Sequence, residues 1–109
     1  MTEVTENLLA QGGKALAVPC DVADSEQVQA MVRQIVETFG KLDVLVNYAG
    51  VRASISTIED LSEQEWQQTF DVDAKGSWLC AKHAIPEMRK TGGGSIVMIS
   101  SISARVTGW

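Results

Sequence analysis

The sequence predicts an α/β domain built around a parallel sheet, and three observations carry that prediction. Short apolar runs of strand length alternate with longer stretches whose apolar residues recur at helical spacing. The connections are short, so strand, helix and strand follow one another as a βαβ unit. Each apolar run also ends in polar residues: Asp21 after the first, Asn47 after the second, Ser100 and Ser101 after the third. Right-handed crossovers bring those three ends to one edge of the sheet, where ligands bind in open α/β folds.

The elements follow in order. Thr5 to Gln11 reads as the last turns of a helix, with Leu8 and Leu9 apolar and Gly12-Gly13 as its stop. Lys14 to Pro19, carrying Ala15, Leu16, Ala17 and Val18, reads as a short buried strand running into Cys20-Asp21-Val22. Asp24 or Ser25 supplies the N-cap of a helix from Ser25 to Phe39, where Val28, Met31, Val32, Ile35 and Val36 share one face and Gly40 closes the end. The stretch from Leu42 to Gly50 organises the chain. Its near-continuous apolar residues, Leu42, Val44, Leu45 and Val46, suit a strand covered on both faces. Ala49-Gly50 directly beyond it let another molecule approach the backbone. Taken alone, a tight strand-to-helix turn accounts for that glycine more simply; the convergence of three polar strand ends favours a nucleotide-type site.

Val51 to Asp60 has no clear period and reads as a loop. Ser62 and Glu65 form a capping box that opens a long helix through Trp66, Phe70, Trp78, Leu79, Ala81 and Ile85 to about Arg89, with interruptions at Gly76 and Pro86. Gly92-Gly93-Gly94 is a turn into a strand at Ser95 to Ile99, again apolar enough for burial on both faces. Ile102 to Trp109 is irregular.

Composition narrows the function classes. The 109 residues hold one domain at most, with 45% hydrophobic and 21% charged residues, an ordinary soluble balance. A net charge of −5 and the absence of a Lys/Arg cluster argue against a nucleic-acid partner. No apolar run reaches the ~20 residues that span a bilayer. The first residues, Met1 to Glu6, lack the pattern of a signal peptide. Cys20 and Cys80 have no metal-ligand or CxxC spacing, so no metal site is expected; each reads as a small buried hydrophobe in a reducing compartment, which implies a cytoplasmic protein.

Four motifs in register then carry a family resemblance: Cys20-Asp21-Val22, Leu42 to Gly50 (LDVLVNYAG), Val72-Asp73-Ala74-Lys75-Gly76, and Gly94 to Ser101 (GSIVMISS). Over nearly its whole length the chain resembles the middle of a short-chain dehydrogenase/reductase. The resemblance implies a Rossmann-like, doubly wound parallel sheet in three layers, with residues 1–109 a fragment of one NAD(P)-binding domain that contributes about three strands. It implies NAD or NADP as cofactor and hydride transfer to or from the carbon of a small-molecule alcohol or carbonyl. It also implies a homo-oligomer, dimer or tetramer, paired through the long helix.

Residue by residue, the resemblance makes Asp21 the acceptor for the adenine amino group, with the Val22 backbone beside it. A carboxylate only accepts and an amino group only donates, so the pairing is chemically apt. Asp21 as a cap of the following helix is the simpler reading of that residue alone. Asn47-Tyr48-Ala49-Gly50 corresponds to the family's Asn-Asn-Ala-Gly beside the adenosine ribose, with Tyr48 as a departure. Ser101 aligns with the catalytic serine that orients the substrate oxygen and stabilises its developing charge. Asp73 stands where the family has an Asn in its proton relay; it is nearly isosteric but anionic and lacks the amide donor. Trp66, Phe70 and Trp78 read as core or subunit-interface packing, and His83 has no identifiable partner and no catalytic role.

The 109 residues contain neither the family's glycine-rich pyrophosphate loop nor its Tyr-x-x-x-Lys pair; the sole tyrosine is Tyr48. The expectation is therefore an active oxidoreductase in the complete protein and no turnover by these residues alone. The alternative is a non-enzymatic binding or scaffold module that keeps an adenine-side pocket.

Overall fold

A computed structural model describes residues 2–51, 57–101 and 105 of the chain. The elements run α1 (Thr2–Ala10), α2 (Ser25–Phe39), β1 (Val44–Asn47), α3 (Glu63–Thr69), a π-helical segment (Phe70–Gly76), α4 (Ser77–Lys90) and β2 (Ser95–Met98). β1 and β2 pair in parallel, Val44 opposite Ser95 and Asn47 opposite Met98. α4 packs against β1 on one side and α2 on the other.

Local chemistry places the helix ends. Asp24 caps α2, its carboxylate accepting from the backbone N–H of Glu26 at 2.9 Å and of Gln27 at 3.2 Å. Gly40 ends that helix at φ 85°, a left-handed conformation that glycine adopts without steric cost. The capping box forms: Glu65 N–H donates to Ser62 Oγ, and Ser62 N–H donates to the Glu65 carboxylate. Pro86 lies inside α4 without ending it.

The core sits where α2 crosses α4. Val28, Leu79 and Cys80 are buried there, with Cys20, Val22, Met31 and Leu45 packed against them. Burial of side chains the size of Val28 and Leu79 contributes ~1.5–3 kcal/mol each, enough to fix the helix pair. Gly76 is essential to how closely the chain layers here. A Cβ on it would lie 2.7 Å from Val22 Cγ2, so the 20–22 segment rests directly on the helix backbone.

Three expectations are corrected. Residues 14–20 form no strand: among the described residues no backbone hydrogen bond joins them to another segment. A cleft of about 410 Å³ is lined by Val18, Cys20 and Val22 together with Val44, Val46 and Tyr48 of and after β1. The ladder therefore has two strands, not about three, among the described residues. Burial on both sheet faces also fails. Leu45 and Asn47 face α4 and are half-buried, whereas Val44 and Val46 are each 56% exposed on the uncovered side. In β2 only Ile96 is half-buried. Finally, the long helix is α, then π, then α, because residues 70–76 adopt a wider turn than the apolar spacing alone indicates. The irregular reading of 102–109 lies outside the described residues except at Arg105.

Candidate functional site

The carboxyl ends of β1 and β2 and the π-helical segment enclose one cavity of about 440 Å³. β1 delivers Tyr48, Ala49 and Gly50 to its wall; the chain after β2 delivers Ser100 and Ser101; the helix delivers Asp73. Five of the eight residues expected at a site, Tyr48, Ala49, Gly50, Asp73 and Ser101, thus share a single cavity.

Asp73 is held at both of its ends. Its carboxylate Oδ1 accepts from the Val51 N–H at 3.0 Å, tying the loop after β1 to the helix. Its carbonyl accepts from Ser77 Oγ at 3.0 Å, a side-chain partner within the widened turn. Gly50 lies close beneath it, since a Cβ there would be 3.5 Å from Asp73 Oδ1.

Asn47 does not line that cavity. Its Nδ2 donates to the Ser77 carbonyl at 3.3 Å and contacts Met98 Sδ at 3.0 Å, while its own carbonyl accepts from Ile99 N–H at 3.0 Å. It fastens β1 to both neighbours and so sets the position of Ala49-Gly50. Val22 and Asn47 border a second, much smaller void of about 10 Å³ on the far side of the strand end. Asp21, immediately before Val22, is exposed. Its Oδ1 accepts from Ala23 N–H at 2.9 Å and its own N–H donates to Gln27 Oε1 at 2.9 Å. Asp21 therefore organises its own turn, and the helix cap belongs to Asp24.

The sequence reading missed Thr69, Phe70 and Ser77, which also line the cavity. Phe70 was assigned to packing; it stacks on Trp66 at 4.4 Å between ring centroids and is 49% exposed. Only Ser77, four residues beyond Asp73, had a detectable signal in the spacing. Trp66 and Trp78 are 50% and 56% exposed, so neither belongs to the core, and Lys82 lies 4.9 Å over the Trp78 ring. His83 does have a partner: its Nε2 lies 3.3 Å from Ser25 Oγ at the start of α2.

Cys80 is buried as expected, whereas Cys20 is only half-buried. Burial pushes Cys20 above its ordinary pKa, with Asp21 and Asp24 adding to the effect; burial, then Cys20 itself, does the same to Cys80. The described residues contain no helix long and apolar enough to cross a membrane.

A family profile described as enoyl-(acyl carrier protein) reductase matches residues 1–109. A 3-oxoacyl-(acyl-carrier-protein) reductase of Staphylococcus aureus is 37% identical over 94% of this chain and 42% of its own length. An uncharacterized oxidoreductase of Thermotoga maritima is 44% identical over 91% of this chain and 38% of its own length. The crystal structure of a 3-ketoacyl-ACP reductase from Sinorhizobium meliloti superposes with a TM-score of 0.92 at 37% identity, covering 97% of this chain and 42% of that one. A short-chain dehydrogenase/reductase from Serratia marcescens superposes with a TM-score of 0.90 at 31% identity. The chain spans less than half the length of these relatives, and within that span the order of elements, the paired strand ends and the sequence agree. It belongs to the short-chain dehydrogenase/reductase family.

Proposed function

We propose that these residues are the adenosine-side and substrate-side middle of an NAD(P)-dependent oxidoreductase that interconverts an alcohol and a carbonyl. The observation that carries this reading is the single cavity bounded by Ala49-Gly50, Asp73 and Ser101 at the carboxyl ends of two parallel strands. The small side chains of Ala49 and Gly50 suit close backbone approach by a cofactor ribose. Asp21, exposed and accept-only, suits the adenine amino group, with Val22 beside it. When bound, the nicotinamide supplies the hydride. In this reading Ser101 holds the substrate oxygen by hydrogen bonding as charge develops on it, and Asp73 fixes the loop behind the ribose contact. Two of the named relatives are 3-oxoacyl- or 3-ketoacyl-(acyl-carrier-protein) reductases, which makes that β-keto class the first substrate to try.

These residues also account for what the 109-residue chain does not do. They include no Tyr-x-x-x-Lys pair to act as acid/base and no glycine-rich loop to hold a pyrophosphate. Each charge-assisted phosphate contact contributes ~1.5–3 kcal/mol, so the chain alone binds dinucleotide weakly and shows no turnover. A chimera tests the reading directly: these residues replace the aligned segment of the Staphylococcus aureus reductase. NADPH-dependent reduction of a 3-oxoacyl thioester by the chimera, lost on Ser101→Ala, is the expected result. A folded chimera that binds no NAD(P)H would overturn it.

A further inference from the structure

Cys20 and Cys80 are 60 positions apart in sequence but meet in one apolar cluster. Cys80 belongs to the buried group with Val28 and Leu79, and Cys20 packs against that group from the 14–22 segment. Both thiols are free, and both border the cleft of about 410 Å³ between that segment and β1. Cys80 is 4% exposed and Cys20 is half-buried, so the cleft admits a small oxidant to Cys20 first. The influence of Cys20 on the ionisation of Cys80 is a second sign of their closeness.

Residues 14–20 have no ladder partner among the described residues, and beyond them the segment rests on the helix through Val22 over Gly76 and through the turn hydrogen bonds of Asp21. A covalent link from Cys20 to α4 would remove much of its remaining freedom. Cys20 also immediately precedes Asp21, so the same link would fix the residue assigned to the adenine.

We propose that Cys20 and Cys80 form a reversible disulfide when the chain meets a peroxide, fastening the 14–22 segment to α4. The Cys20 thiolate attacks the peroxide O–O bond, leaving a sulfenic acid and, with the thiol proton, releasing water. The Cys80 sulfur then attacks the sulfenic sulfur, forming the S–S bond and releasing a second water. Peroxide is reduced by two electrons and the two thiols are oxidised by two. A thiol reductant reverses the reaction. Raised thiol pKa values slow the first step at neutral pH, so oxidation speeds up as the solution is made alkaline.

The test treats the reduced 109-residue chain at low micromolar concentration with hydrogen peroxide and follows intact mass and non-reducing peptide maps. The expected product is a monomer lighter by two hydrogens, with a Cys20–Cys80 linked peptide that dithiothreitol separates. In urea the yield of the internal link relative to oxygen adducts and intermolecular dimers should fall about tenfold, because unfolding removes the high effective concentration of one thiol at the other. Cys20→Ser and Cys80→Ser should each abolish the internal link and accumulate oxygen adducts or intermolecular dimers. Sulfinic acid or intermolecular dimers as the main wild-type product, no reaction, or the same product distribution with and without urea would each overturn the proposal. The wild-type comparison stands even where a serine variant fails to fold.

Discussion

Replacing Gly76 with alanine sets two opposed effects against each other at one position. Alanine is favoured over glycine in a helix by about 1 kcal/mol. Against that, the new Cβ would sit 2.7 Å from Val22 Cγ2, 3.1 Å from Val22 Cβ and 3.3 Å from the Val22 carbonyl oxygen. Comfortable carbon contacts are ~3.5–4.0 Å, so the overlap approaches an ångström. Val22 is β-branched and stiff at χ1, and one of the crowded atoms is backbone, so the clash cannot be relieved by a rotamer change alone. Overpacking of this kind costs ~1–3 kcal/mol. The net expectation is destabilisation of about 1 kcal/mol, which lowers a urea midpoint by about 1 M at a slope of ~1 kcal/mol/M. Far-UV circular dichroism in urea measures it. The control is the same change in a Val22→Ala background, where the Cγ atoms are gone. There Gly76→Ala should cost much less or stabilise, giving a coupling energy in the double-mutant cycle. A stabilising Gly76→Ala in the native background, or equal effects in both backgrounds, would refute the close contact between the 20–22 segment and the helix.

Other consequences can be measured in the same way. The Asp24 carboxyl is held below the usual carboxylate range, chiefly by the Gln27 backbone N–H, then by the Gln27 side chain. Its stabilising effect is therefore complete above the unfolded carboxylate pKa of ~3.9 and is lost as pH falls through the lower folded value. Asp24→Asn, which keeps an acceptor at the cap, should flatten that acid limb in urea titrations at several pH values; an unchanged limb would exclude Asp24 as its source. Cys20 and Cys80 act on the opposite side. Their folded pKa values are raised, so stability is complete below the unfolded thiol pKa of ~8.5 and falls as pH rises beyond it; substituting both by alanine should remove that alkaline loss. In the chimera, Asp73→Asn should raise turnover with little change in cofactor affinity, read from kcat and cofactor titration; an unchanged or lower rate would show adaptation to the carboxylate. The half-exposed Trp66, Phe70 and Trp78 should pair subunits, so light scattering should report a dimer or tetramer for the chimera and dissociation on Trp78→Glu.

Much of this architecture was readable because the signals were local. α2 follows its apolar spacing between Asp24 and Gly40, and the capping box at Ser62 and Glu65 places the start of α3. Of the three polar strand ends, only Ser100 and Ser101 line the cavity; Asn47 and Asp21 lie off it. What could not be read depends on partners distant in sequence. Whether residues 14–20 pair as a strand depends on what lies beside them, and here a cleft does. Burial of Val44 and Val46 depends on a second covering layer, which their own composition cannot reveal. The π-helical segment is likewise invisible to a period of 3.6, because Phe70, Ala74 and Ser77 keep plausible α-helical spacing while the turn widens. Phe70 accordingly reached the cavity without a signal in the sequence.

The way Asp73 is held decides what its charge can do. With Oδ1 engaged by the Val51 N–H and the carbonyl engaged by Ser77 Oγ, the residue is fixed on both sides of its Cα. Two roles follow for it, anchor of the loop that carries Ala49 and Gly50 and negative charge beside Gly50. Those two roles separate by substitution. Asparagine keeps an oxygen for the Val51 N–H and removes the charge, whereas alanine removes both. If the anchor dominates, Asp73→Ala weakens adenosine binding in the chimera while Asp73→Asn leaves it intact. If the charge dominates, the two substitutions shift binding and turnover together. The 3.0 Å contact to Val51 favours the anchor, because it ties the chain just beyond Ala49 and Gly50 directly to the helix.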